Sequence, residues 1–476
     1  MSRIIKNYIY STSYQLLALI VPLVTAPYLS RVLGAEKIGV YGYVSSVTSI
    51  FATVGLLGLY SYGNRETAYI RDDKENLSET FWEIMMTRFL LLVITSIIFI
   101  LLASGSNYSS YFSIYYFWLV ASFIDISWVF VGLENMKPAV IKNSFSKLAT
   151  VIGIFVFIKD EADLWIYFVL IASFTLIANV SLYPMLRPHV IRPKINHLNI
   201  SKFKKHLKES MHLFLPQVAT VIYLQIDKVM IENLTGTTRD VGFYLQAEKI
   251  INIPLALITG LSTVMMPRIA NEFKKGNTSS INRYLMQAAE FTAMIAIPMS
   301  IGIAIISPSF VPWFLGNEFS PTVSAIVILS PLIIINALGG ISGQQYLTAT
   351  NQVNLLLRTH VFGALINVAL NWILIPKLSF LGAAYASVIS LFTIVLLQYY
   401  YMYKQISITI LVKSLLKYLF LSSIMGTIIY LLGVFKFLDT YLFLAQILLG
   451  VSIYSILLIL TKDKVISKII ALLRKE

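Results

Sequence analysis

The chain has 476 residues, of which 57% are hydrophobic and 13% charged, with a mean hydropathy of +0.76. A soluble domain carries about 25% charged residues, so this composition excludes one and leaves an integral membrane protein, long enough for a dozen or more spans of ~20 residues. Cysteine is absent, which excludes disulfides, thiolate metal sites and a cysteine nucleophile, and the net charge of +14 has to be read from its placement.

The first apolar run, 8–30, is too long for a signal-peptide core and lacks a small-residue exit, so it stays as span 1, with Pro22 and Pro27 inside it and Arg31 closing it. Further spans are expected near 38–60, 81–103, 112–133, 140–158 and 164–186. They enclose Arg88 in the third, Asp125 in the fourth and Lys147 in the fifth. A basic segment, 187–211, follows and reads as a solvated linker on the inner surface. A second series is expected near 212–234, 241–266, 285–307, 322–347, 358–376 and 381–403, with Asp227, Lys228 and Glu232 in its first member and Glu248 and Lys249 in its second. Two last spans, near 415–434 and 440–461, precede a basic tail. The fold class is therefore all-α and polytopic, with fourteen spans.

Loop charge orients them. With the N-terminus inside, the termini and inner loops hold 27 Lys and Arg, counting Lys142 to the loop before span 5, and the outer loops hold 6. That asymmetry is what the positive-inside rule requires. Both termini are thus expected in the cytoplasm, and the basic balance reports topology and anionic headgroups instead of nucleic acid.

The chain also repeats itself. "AEKIGVY" (35–41) leads into span 2 and "TRDVGFY" (238–244) into span 8; "ENMKPAVIKN" (134–143) is echoed by "TNQVNLLLRT" (350–359). Six spans separate the copies, which predicts a parallel repeat about an axis along the membrane normal. The expected division is an N-lobe at 1–186, the linker, a C-lobe at 212–403, and spans 13 and 14 with the tail at 404–476.

"APYLSRVLGAEKIGVYGYVSSV" (26–47), "GLLGLYSYGNRETA" (55–68) and "YLQIDKVMIENLTGTTRDVGFYLQAEKIINIPLALITGLSTVMMPRIA" (223–270) resemble the Wzx-type polysaccharide and O-antigen flippases of the multidrug/oligosaccharidyl-lipid/polysaccharide exporter superfamily. The resemblance implies a V-shaped pair of helical lobes that moves an undecaprenyl-pyrophosphate-linked oligosaccharide from the cytoplasmic to the outer leaflet of the bacterial inner membrane. It also brings in polymerase and chain-length proteins of the same pathway as candidate partners.

Charges inside a bilayer are costly and mark function by default. Arg31, Arg88, Lys147, Lys228 and Lys249 could form a ladder of cations for a pyrophosphate, with Asp125, Asp227, Glu232 and Glu248 bracing or gating it. Each has a local alternative. Lys228 and Glu232 stand at i and i+4 and can pair, Arg31 can snorkel to the outer headgroups, and Arg65 with Glu66 can cap the inner end of span 2. No phosphate-binding loop, H-E-x-x-H or G-x-S-x-G occurs, so no enzyme activity, resident cofactor or metal is expected. The coupling ion, Na+ or H+, stays open. A drug/cation antiporter would bury mainly acids, whereas the first six spans set Arg88 and Lys147 against one deep acid, Asp125.

Overall fold

In the computed structural model, residues 3–192, 200–403, 408–434, 441–463 and 465–467 are described. The loop with Lys436, linker residues 193–199 and the tail beyond 467 lie outside them. Every regular element among the described residues is helical, and twelve helices are long and apolar enough to cross a membrane. Large apolar side chains such as Leu101, Trp372, Phe420 and Leu460 stay exposed, as a lipid-facing surface requires.

The chain packs as two compact units, Met1–Gly242 and Phe243–Glu476. Span 7 thus belongs with the first six, and the boundary falls later than the expected linker. The first unit opens with α1 (Arg3–Leu56), whose 54 residues would measure about 80 Å if straight, against a hydrocarbon core of about 30 Å. Gly34 breaks it: its φ of 72° is left-handed, a conformation that costs glycine little and other residues more. α1 therefore covers both of the first two expected spans.

After α1 come α2 (Leu59–Ile70), α3 (Lys74–Ser104), α4 (Ser109–Ile124), α5 (Ser127–Gly132), α6 (Lys137–Phe157), α7 (Leu164–Val180), α8 (Leu182–Leu186) and α9 (Ile200–Thr235). Span 4 is thus two helices, not one. α2 was not expected as a separate element; it is amphipathic, and its Gly63 lies so close to Trp128 that a Cβ there would meet the indole at 2.6 Å. Trp128 stacks on Phe81 at 5.7 Å, and both are fully buried. The linker's second half is helical. Residues 200–211 are the first turns of α9, with His206 and Ser210 buried.

The two repeated motifs meet inside the first unit. A Cβ on Gly39 would fall 1.6 Å from the carbonyl oxygen of Thr238, and one on Gly242 would fall 2.1 Å from that of Ala35. With a repeat offset of 203 residues these two contacts exchange into one another, as in an isologous two-fold contact. Glycine at both positions is what allows the backbones so close.

The second unit takes in most of α10 (Thr238–Lys274), then α11 (Thr278–Leu315), α12 (Thr322–Leu329), α13 (Pro331–Gly339), a π-helix (Gly340–Thr348), α14 (Val353–Leu378), α15 (Phe380–Met402), α16 (Ile408–Val434) and α17 (Leu442–Leu460). Its apolar core holds Ile281, Leu285, Ile341, Tyr346, Leu347 and Met402, with a second cluster where α11 packs on α16 and α17.

Candidate functional site

Span 4 breaks at a residue able to compete with the helix for its own amides. Asp125 is extended (φ −66°, ψ 115°), and its carboxylate accepts from the Ser127 amide at 2.9 Å and the Ser127 hydroxyl at 2.5 Å. A break at this point leaves carbonyls at the end of α4 without helical donors, and within a membrane they must find others. Three side chains supply them. Arg88 of α3 donates to the carbonyls of Asp125 at 2.6 Å and Ser122 at 2.8 Å. Asn179 of α7 donates to that of Ala121 at 2.7 Å, and Tyr183 of α8 to that of Ile124 at 3.0 Å.

Lys142 closes the node from α6. Its ammonium donates to the Asp125 carboxylate at 2.8 Å and to the Asn179 amide oxygen at 2.5 Å. Four elements thus converge on one broken helix with two cations, Arg88 and Lys142, facing one carboxylate. Arg88 is only 1% exposed, and its Nε–H, also buried, has no acceptor among the described residues. The arrangement is net positive and short of one acceptor among the described residues, which suits a site that stabilises negative charge.

Of the residues singled out from the sequence, Arg88 and Asp125 meet in this node; Lys142, Asn179 and Tyr183 were not among them. Lys142 had been counted to a loop; it lies in the second turn of α6 and is buried. Lys147, proposed in its place, is five residues further along α6, half-buried, with its ammonium 5.9 Å from the centroid of the Tyr14 ring. Arg31 is exposed, three residues before the Gly34 break.

On α9, Asp227 and Lys228 are both buried. Lys228 turns its ammonium back to the carbonyl of Leu224 at 2.7 Å. The local alternative of pairing with Glu232 has no counterpart among the described contacts: Glu232 accepts the Tyr108 hydroxyl at 2.9 Å, and its other oxygen is buried without a partner among the described residues. Ser46 to Gln225 at 2.9 Å and Tyr43 to Asn233 at 3.2 Å tie α1 to the same helix. Glu248 and Lys249 sit half-buried on α10 in the second unit.

A further network, not foreseen, fastens the start of α9. His206 stands between the Glu83 carboxylate and the Tyr62 hydroxyl, each at 2.9 Å, while Lys202 pairs with Glu79 and Glu83. Arg65, expected as a cap, bonds Glu66 at 3.2 Å and reaches Glu209 of α9 at 3.5 Å. Among the described residues no group of three His, Asp or Glu side chains is placed to hold a metal ion.

Comparison with known proteins adds relatives to this geometry. The model of a family described as polysaccharide biosynthesis protein matches residues 4–273. A putative O-antigen transporter of Escherichia coli K12 is 22% identical over 383 residues, 80% of this chain and 92% of that protein. The capsular polysaccharide biosynthesis protein CapF of Staphylococcus aureus is 22% identical over 84% of this chain and 100% of its own length. Among solved structures, the lipid II flippase MurJ in an inward closed conformation superposes with a TM-score of 0.74 at 19% identity, covering 96% of this chain and 99% of that one. An inward-facing multidrug resistance MATE transporter superposes at 0.65 and 16% identity, over 84% and 96%. At such identities the likeness is one of fold.

Proposed function

The chain belongs to the polysaccharide biosynthesis protein family, matched over more than half its length, and from that membership we propose that it is a flippase for undecaprenyl-pyrophosphate-linked oligosaccharide. It carries this cargo from the cytoplasmic to the outer leaflet of the bacterial inner membrane by alternating access. The single observation that carries the choice of an anionic cargo is the net-positive node of Arg88, Lys142 and Asp125. A transporter of cationic compounds would need the opposite balance.

In this reading the protein has fourteen spans in two six-span halves related by a parallel repeat, with both termini in the cytoplasm. The break of α1 at Gly34 supports counting it as two spans, and the exchange-related contacts of Gly39 and Gly242 support the repeat. Arg31, Lys147, Lys228 and Lys249 serve the pyrophosphate along its path. Asp125 holds Lys142, and Asp227, Glu232 and Glu248 brace the helices that bear the cations. The node's own role is to keep span 4 broken and its positive field in place, so that no reorganisation is required when an anion arrives.

The test is complementation of a bacterium deleted for its own O-antigen flippase. Surface polysaccharide restored by the wild type and reduced by well-expressed Lys147→Ala and Lys249→Ala supports the reading. Failure across several donor pathways together with resistance to cationic dyes sinks it.

A further inference from the structure

Resting on the flippase reading, we infer that the second unit contains a subsite for a neutral, hydroxyl-rich sugar ring of the cargo, in the cavity beside the π-helix. The cavity is about 450 Å³, within the range of small-molecule sites. Its polar lining is Asn252 of α10, Asn336 of α13, Gln344 of the π-helix, His360 of α14 and Gln398 of α15, with no Asp, Glu, Lys or Arg. Amides both donate and accept, which matches sugar hydroxyls, themselves donors and acceptors. A phosphate would find no Lys or Arg here to meet its charge.

The local backbone fits that use. A π-helix is rare and concentrates at functional sites, and irregular backbone at membrane depth persists where it lines a polar cavity. Gly339, Gly340 and Gly343 keep this wall free of side chains. Asn252 and Gln344 are exposed to the cavity, and neither has a hydrogen-bond partner among the described residues.

The first unit holds a corner built for charge, the node of Arg88, Lys142 and Asp125. In the second unit the cavity wall is tied by uncharged side chains: Ser342 donates to Gln398 at 2.6 Å, and the Gln398 amide donates to Thr359 at 3.3 Å. The node is cationic and filled, whereas the cavity is open and has no Lys, Arg, Asp or Glu in its lining. A cargo that is a pyrophosphate at one end and a glycan at the other matches that division.

The experiment measures binding to the full-length protein in nanodiscs. It uses two lipids: bare undecaprenyl pyrophosphate, and the same lipid bearing a neutral trisaccharide built on N-acetylglucosamine. The wild type is expected to hold the glycosylated lipid about tenfold more tightly, the worth of one or two hydrogen bonds. Gln344→Leu and Asn252→Leu, which remove no internal bond, should bring that ratio to within about twofold of one and leave bare-lipid affinity unchanged, with Gln344→Asn restoring part of it. A wild-type ratio of one, or a ratio that survives both leucine variants, overturns the subsite. A wild type that binds neither lipid overturns the flippase reading itself, and the subsite with it.

Discussion

Removing Lys142 should expose how the node is held. The Lys142 side chain is 4% exposed and that of Asp125 23%, so Lys142→Met strands a mostly buried carboxylate with no cation at 2.8 Å. Breaking such a pair costs about 3–5 kcal/mol. Asp125 keeps its two bonds from Ser127, which places the expected loss near the lower end, about 3 kcal/mol. Replacing both partners, Lys142→Met with Asp125→Asn, removes the stranded charge. The double variant should therefore lose at least about 1.5 kcal/mol less than the two single losses added together. Unfolding of the purified protein, followed by tryptophan fluorescence in mixed detergent, gives the four stabilities of the cycle. Single losses that add to within about 0.5 kcal/mol would refute the coupling and with it the electrostatic account of the node.

Four further outcomes follow from the same structure. Arg88→Met should destabilise by about 3 kcal/mol, because two carbonyls lose a charged donor at once, and Arg88→Lys should recover only part, lacking the planar fork; the same unfolding assay reads both. Gly39→Ala should cost about 3 kcal/mol or prevent folding, since its Cβ has no room against Thr238, while Gly302→Ala, in open space, should be near neutral. His206→Ala should speed amide exchange over 200–210 severalfold by freeing the start of α9 from Glu83 and Tyr62, with exchange in α6 unchanged. Burial raises the Asp463 pKa, but Lys417 and the amides of Val465 and Ile466 outweigh it and hold the carboxyl below its ordinary range. A depressed native pKa gives stability above the unfolded value, about 3.9, that is lost as pH falls through the lower one; Asp463→Asn should flatten the acid limb of a pH–stability curve.

Much of the helix pattern was legible because hydropathy is local. Span 12, expected at 381–403, is α15 (Phe380–Met402), and span 14, expected at 440–461, is α17 (Leu442–Leu460). The breaks were less legible. Asp125 interrupts span 4 through a bond to Ser127 two residues on, and the apolar run continues across it unchanged. The π-helix at Gly340–Thr348 likewise leaves hydropathy undisturbed. Lys142 was misjudged because a lysine near the start of a span reads as a loop charge. What buries it is the meeting of Asp125 and Asn179 from two other helices, which no local window contains. Asn179, a lone amide in the apolar run of α7, was the signal that could have prompted the question. Residues 200–211 looked solvated from their charge alone, yet their acidic partners, Glu79 and Glu83, lie more than a hundred residues earlier.

The most direct measurement of the central claim is translocation by the purified protein in proteoliposomes. A fluorescent trisaccharide on undecaprenyl pyrophosphate is placed in one leaflet, and its appearance in the other is followed beside the efflux of a cationic dye. The account predicts that the glycolipid crosses faster than in empty vesicles, that Lys249→Ala slows it, and that the dye does not cross. Dye transport with the glycolipid left in its starting leaflet would contradict it.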